Sequence, residues 1–302
     1  MQSLIEEHGL SQRRACRAAG LARSTLRYAH KLPDDTGVIE FIEDYIAHHP
    51  RHGFDLMFAT VQYERLPYGK TRLWRVYKQL GMNLPRRGKK RLPERVKQPL
   101  RAPDHPNICW SMDFMADGLW SGRKLRTFNV IDDFNRESLK IEIDTSLPAA
   151  RVVRALDEIV QTRGAPQSIR MDNGPEFIAH LLGQWAQQKG ITLIFIEPGS
   201  PTQNAYIERF NKTYRTEILD CYAFDTLDEL RTLTEHWIYR YNHERPHESL
   251  GGVPPVKYRM IMYPNLNTRH LTLILMYSVT FHDRRIGDGT YACDSARGQS
   301  DH

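Results

Sequence analysis

The sequence predicts an α/β domain whose sheet begins as antiparallel strands and continues as strands alternating with helices, preceded by a basic all-helical region. Three observations carry this expectation. Short β-rich runs between residues 110 and 143 are separated by Gly and Asx turns. From residue 149 onward, helical periodicity alternates with short apolar runs. Before residue 85 the pattern is helical and rich in Arg.

Composition narrows the function classes. At 40% hydrophobic and 26% charged residues, the chain has the makeup of a soluble globular protein of two or three modules. No apolar run reaches the ~18 residues needed to cross a bilayer, so no membrane association is expected. Met1-Gln2-Ser3 opens without a charged-then-apolar signal, and export is not expected. Cys16, Cys109, Cys221 and Cys293 are scattered with no Cys-x-x-Cys, which points to reduced thiols in a cytoplasm and away from zinc fingers and disulfide frameworks. Charge is divided unevenly: residues 1–105 hold 20 Lys and Arg against 11 Asp and Glu, whereas residues 106–302 hold 22 against 25. The first third is therefore expected to grip a polyanion and the remainder to carry an acidic site.

In chain order, residues 1–32 form a small helical unit. Ser11 caps a helix through Ala18, Gly20-Leu21 breaks it, and a second helix covers Ser24–Tyr28. The pattern is helix-turn-helix-like, with Arg13, Arg14, Arg17, Arg23 and Arg27 outward; a basic hairpin packed on the core is the alternative. Pro33–Gly37 reads as a linker. Residues 38–84 form a helical module, with helices over Val38–His49 and Thr71–Leu80, the latter carrying Arg72, Arg75 and Lys78. Residues 85–106 hold the strongest charge run: Arg86, Arg87, Lys89, Lys90 and Arg91 lead a stretch broken by Pro93, Pro99 and Pro103. Prolines at that density predict an extended, solvated linker whose cations lie along a phosphate backbone, with a merely solubilising linker as the bland reading.

Residues 107–258 are the expected catalytic core. Strands are predicted over Trp110–Ala116, Lys124–Ile131 and Ser138–Ile143, then a helix over Ala149–Thr162 ended by Gly164-Ala165-Pro166. A strand over Gln167–Asp172, a helix over Pro175–Lys189, a strand over Ile191–Ile196 and two further helices follow. Residues 259–302 are an atypical tail, with a polar Gly/Asp/Ser-rich end from Arg284.

Three carboxylates stand out. Asp113 alternates with Met112 and Phe114, so it occupies the opposite strand face from them. Asp172 sits at a strand tip, because Asn173-Gly174-Pro175 forbids continuation. Glu208 lies off the apolar stripe Ile207, Phe210, Tyr214 and Ile218, on a line with Asn204, Lys212 and Arg215. Singly, each has a bland reading as a strand acid, a turn-forming Asx or a solvated helix face. Together, carboxylates from separate elements suit a pair of hard divalent cations that activate an attacking oxygen and stabilise a leaving one in phosphoryl transfer. Asp132 and Asp133, in a strand-to-strand turn, are expected to cap backbone amides, and His243 and His247 to pack rather than bind metal.

The order Asp113, Asp172, Glu208, with 35 residues between the last two, and the contexts Trp-Ser-Met-Asp-Phe, Asp-Asn-Gly-Pro-Glu-Phe and Asn-Ala-Tyr-Ile-Glu-Arg-Phe-Asn resemble the DDE core of the retroviral-integrase superfamily. The chain looks most like the OrfB subunit of bacterial insertion-sequence transposases over roughly residues 10 to 258. That resemblance implies a ribonuclease-H-like (integrase) catalytic core with an N-terminal DNA-binding region, and metal-dependent cleavage and strand transfer of DNA. It implies two Mg²⁺ (or Mn²⁺) ions on Asp113, Asp172 and Glu208. Lys212 and Arg215, one and two turns beyond Glu208 on the same helix face, are placed to meet the phosphates of the cut strand, with an i,i+4 ion pair of Glu208 and Lys212 as the bland reading. As partners the resemblance implies element ends and target DNA, an OrfA-type subunit, and further copies of the chain assembled on DNA, in the bacterial cytoplasm at the nucleoid. One stretch departs from the family: Pro50–Met57, read as a turn, carries Asp55 and apolar residues where basic ones are usual. An inactive product that only binds DNA and a nuclease cutting RNA–DNA hybrids remain as alternatives.

Overall fold

The computed structural model describes residues 5–7, 9–28, 34–84, 100, 102–172, 180–197 and 201–264. The chain divides into two compact units, Met1–Glu43 and Asp44–His302. In the first, α1 (Gln12–Ala18) and α2 (Arg23–Arg27) flank Gly20, whose φ of +66° suits glycine at a helix exit. Ser11 stands at the N-cap of α1, although its side chain makes no capping hydrogen bond. Where a linker was expected, α3 (Thr36–His48) already begins: the Asp34 carboxylate accepts from the Thr36 N–H at 3.0 Å and from its hydroxyl at 2.7 Å, and so starts the helix.

The second unit opens with a feature the sequence reading missed. Residues from Phe54 onward, read as part of a turn, form α4 (Phe54–Tyr63), which buries Phe54, Met57 and Val61. It pairs with α5 (Lys70–Gln79), whose Leu73, Val76 and Tyr77 are buried. Phe54 packs edge-on against both Trp74 and Tyr77, with centroids 4.7 and 5.4 Å away. The basic linker residues Arg86, Arg87, Lys89, Lys90 and Arg91 lie outside the described residues.

The core is a five-stranded sheet in the order β3-β2-β1-β4-β5. β1 (Cys109–Gly118), β2 (Lys124–Asp132) and β3 (Ser138–Asp144) form the antiparallel meander. β4 (Ser168–Met171) adds to β1 in parallel, and β5 (Thr192–Phe195) adds to β4 in parallel. Helices α6 (Ala149–Arg163) and α7 (His180–Lys189) supply the two crossovers, and the whole is a ribonuclease-H-like arrangement.

Period-two alternation sorts side chains to two faces. Trp110, Met112, Phe128, Val130, Ile169 and Met171 bury one face under α6 and α7. Met115, Leu125, Ile131, Ile141 and Ile143 bury the other under α8 (Ala205–Tyr214) and α9 (Leu227–His243). Each fully buried large side chain contributes about 2–3 kcal/mol of transfer free energy, so both helical layers are held by the same sheet. α8 runs directly into a π-helical turn over Arg215–Leu219.

Two ionic clusters, one buried and one half-buried, tie distant segments to this core. Glu137 is bracketed by Arg163 at 2.5 Å and Arg259 at 3.1 Å, and Asn135 donates to Glu137 and to the Pro255 carbonyl. This clamps α10 (Pro255–Met262) against the β2–β3 turn. In the second cluster, Glu217 of the π turn meets Arg245 at 3.0 Å and His52 at 3.5 Å, and joins the α4–α5 module to the core.

Candidate active site

Asp113 lies in the middle of β1, cross-strand from Asn129 of β2, on the face covered by α8. Its carboxylate is fixed from two sides. The Phe114 N–H donates to Oδ1 at 2.8 Å, and Asn211 Nδ2 donates to Oδ2 at 2.7 Å. Asn211 in turn accepts from Asn129 Nδ2 at 2.7 Å. Strand β2, helix α8 and the Asp113 carboxylate are thereby joined by one chain of hydrogen bonds. Asn129 is fully buried, yet its Oδ1 finds no hydrogen-bond partner among the described residues. A buried orphan acceptor costs roughly 1–3 kcal/mol, a loss tolerated where a polar network does something besides stabilise.

The other two acids act on Asp113 through their charge. Its pKa is pushed up to about 6, first by burial, with the charges of Asp172 and Glu208 adding to it against the hydrogen bonds from Phe114 and Asn211. Asp172 directly follows β4, whose register pairs Ser111 with Arg170 and so delivers Asp172 beside the stretch that holds Asp113. Glu208 is exposed in the first turn of α8, and partial burial raises its pKa. Among the described residues no three His, Cys, Asp or Glu side chains close to metal-ligand spacing. The charges of Asp172 and Glu208 thus reach Asp113 without the three carboxylates forming a closed cage among the described residues, and residues 173–179, which follow Asp172, lie outside those described.

The apolar stripe of α8 and the π turn after it is where the periodicity put it: Ile207, Phe210, Tyr214 and Ile218 are all buried. Asn204 differs. Expected on the outward line, it is 3% exposed at the N-cap of α8. Lys212 is exposed one turn beyond Glu208. Arg215 is held by the β1–β2 hairpin, pairing with Asp117 at 2.9 Å and donating to the Ala116 carbonyl at 2.8 Å.

Asp132 and Asp133 are fully buried. Asp132 accepts from the backbone N–H of Asn107 and of Phe134, the capping role expected. Asp133 instead takes side-chain donors, Ser111 at 2.6 Å and Arg170 at 2.6 Å, and so fixes the strand leading to Asp172. His247 packs edge-on against Tyr241, and burial lowers its pKa to about 3. Asn129 and Asn211 were missed by sequence reasoning. The available signal was an Asn between the stripe residues Phe210 and Tyr214, three residues after Glu208.

Two family models, both described as integrase core domain, match residues 103–201 and 189–255. The chain is 38% identical over 259 residues to an insertion element IS407 uncharacterized 31.7 kDa protein of Burkholderia multivorans, covering 85% of this chain and 94% of that one. It is equally similar to an insertion element IS476 uncharacterized 39.2 kDa protein of Xanthomonas euvesicatoria, over 85% of this chain and 75% of that one. A putative transposase for insertion sequence element IS986/IS6110 of Mycobacterium tuberculosis is 22% identical, over 72% of this chain and 85% of that one. Among solved structures, the HTLV-2 integrase catalytic core domain in complex with magnesium aligns at 17% identity and a TM-score of 0.43, over 53% of this chain and 99% of that one.

Proposed function

This chain belongs to the integrase-core family of bacterial insertion-sequence DDE transposases, polynucleotidyl transferases that recombine DNA, and we propose that its reaction is carried by Asp113, Asp172 and Glu208. The observation that supports this reading is the raised pKa of Asp113, to which the charges of both Asp172 and Glu208 contribute. Burial, reinforced by the charges of Asp172 and Glu208, disfavours the ionised form of Asp113, a penalty that a divalent cation relieves. The donors are all hard oxygens, as Mg²⁺ or Mn²⁺ requires. When bound, two such ions would polarise the scissile phosphate and activate the attacking oxygen.

Each side chain then has a stated task. Asp113, oriented by Phe114 and Asn211, presents a fixed carboxylate at the centre of the sheet. Glu208 presents a second from the exposed side of α8, and Asp172 a third from the strand tip. Lys212 meets the phosphates of the strand being cut, with Arg215 beside it oriented by Asp117. Arg86, Arg87, Lys89, Lys90 and Arg91 follow the DNA backbone by counterion release. An OrfA-type subunit and further copies of the chain complete the assembly on element ends, in the bacterial cytoplasm at the nucleoid.

The test is a strand-transfer assay with a DNA end, with and without Mg²⁺ or Mn²⁺, comparing wild type with Asp172→Asn and including an RNA–DNA hybrid. Expected are metal-dependent cleavage and joining of DNA that the variant lacks, with the hybrid left uncut. An Asp172→Asn protein as active as wild type would remove the assignment.

A further inference from the structure

Asn211 stands where two of the three acids are held together. It lies three residues after Glu208 on α8, and its side chain reaches down to Asp113 of β1 and Asn129 of β2. An ionised carboxylate only accepts hydrogen bonds. Asn211 must therefore offer Nδ2 to Asp113 and is left with Oδ1 for the Asn129 amide, which is the order observed. The direction of every bond in the relay follows from the charge at its end.

We propose that Asn211 is a positioning residue for strand transfer, setting through the Asn129–Asn211–Asp113 relay both the carboxylate plane of Asp113 and the seat of the helix that carries Glu208. This rests on the reading of the acids as a divalent-metal site. Three features support it. Asp113 Oδ2 takes the bond from Asn211 while Oδ1 takes the Phe114 N–H, so the carboxylate cannot swing without breaking one of them. Asn211 is buried, at 7% exposure, and lies in sequence between the apolar stripe residues Phe210 and Tyr214, a place that packing alone would give to a hydrophobic residue. The relay persists although it leaves buried Asn129 Oδ1 unpartnered among the described residues, an arrangement that packing alone would remove. Side chains that orient a metal-ligating carboxylate typically govern metal affinity and turnover by about 10- to 100-fold.

The experiment uses the full chain and four variants: Asn211→Leu, Asn129→Leu, the Asn129→Leu/Asn211→Leu double variant, and Asp113→Asn. Mn²⁺ binding is followed by electron paramagnetic resonance, the thermal midpoint without metal by scanning calorimetry, and kcat and KM on a DNA-end oligonucleotide. Asn211→Leu is expected to weaken Mn²⁺ binding and lower kcat by about 10- to 100-fold, with KM for DNA unchanged. The double variant, in which both relay amides become apolar, is expected to regain the part of the midpoint lost by orphaning the Asn129 amide but not the Mn²⁺ affinity, since Asp113 Oδ2 still lacks its donor. If affinity returns together with the midpoint, or if no relay variant changes affinity, Asn211 is structural and the proposal falls. Should Asn211→Leu fail to fold, the double variant and Asn129→Leu decide the matter by the same two readouts. If Asp113→Asn binds Mn²⁺ as well as wild type, the metal-site reading itself fails; lost binding there with none lost at Asn211 overturns only the positioning role.

Discussion

Arg245 meets the Glu217 carboxylate at 3.0 Å, while the other oxygen of that carboxylate accepts the Trp237 indole N–H at 2.8 Å. His52 lies 3.5 Å away, with the Tyr45 hydroxyl 2.9 Å from its second ring nitrogen. One carboxylate on the turn following α8 thus collects groups from α3, the α3–α4 connection, α9 and the segment beyond it. Burial alone would raise Glu217, but His52 and Arg245 outweigh it and hold its pKa at about 2.

Removing that carboxylate leaves the half-buried Arg245 without its counter-charge. Glu217→Ala is expected to cost roughly 3–5 kcal/mol, and Glu217→Gln less because the bond from Trp237 survives. Chemical denaturation measures both, and hydrogen exchange should show earlier opening of residues 54–79 than of the sheet. A variant as stable as wild type would deny the cluster its anchoring role.

Acid should attack the molecule at Glu137. Burial works to raise this carboxyl, yet Arg163 and Arg259 prevail and hold it at about 2, below its ordinary 4.5. A carboxylate with a depressed folded-state pKa stabilises fully above 4.5 and loses that contribution as pH falls toward 2. Stability measured at pH 7, 4.5, 3 and 2 should decline through that window, and Glu137→Gln should flatten the decline while lowering stability at pH 7. A parallel profile in the variant would contradict the assignment.

Neutralising the central acid should separate stability from activity. With metal absent, Asp113→Asn removes the carboxylate whose pKa is raised by burial and by Asp172 and Glu208. The variant is expected to melt higher at neutral pH, by about 1–2 kcal/mol in stability, while losing strand transfer. Equal or lower metal-free stability would show that the three charges do not strain this site.

Replacing Arg86, Arg87, Lys89 and Lys90 with Ala should weaken DNA binding at low salt. If all four engage phosphates, the slope of log affinity against log salt should shrink by about 3–4. Fluorescence anisotropy across a salt series reads this directly, and an unchanged slope would leave the segment a solubilising linker.

What could be read in advance followed from local rules. Alternation in Trp110–Met115 placed Asp113 on the face away from Trp110 and Met112, and the 3–4 spacing of Ile207, Phe210, Tyr214 and Ile218 set the buried side of α8. Helix α4 escaped because family expectation overrode the spacing of Phe54, Met57 and Val61, which was itself a helical signal. The roles of Asn211, Glu137 and Glu217 escaped for a different reason. Their partners are far apart in the chain, and no short-range pattern encodes which polar group meets which. The π turn was likewise invisible, since Arg215–Leu219 has the same residue types as an ordinary helix end.

That widened turn has a genetic consequence. A π turn holds one residue more than the α-helical turn it replaces, so a single codon lost at 215 or 216 would leave the acid of α8 in place while rotating Glu217 away from Arg245 and His52. Lineages that shed the extra residue would therefore have to rebuild the anchorage of the α4–α5 module in the same step, and the two traits should be inherited or lost as a pair.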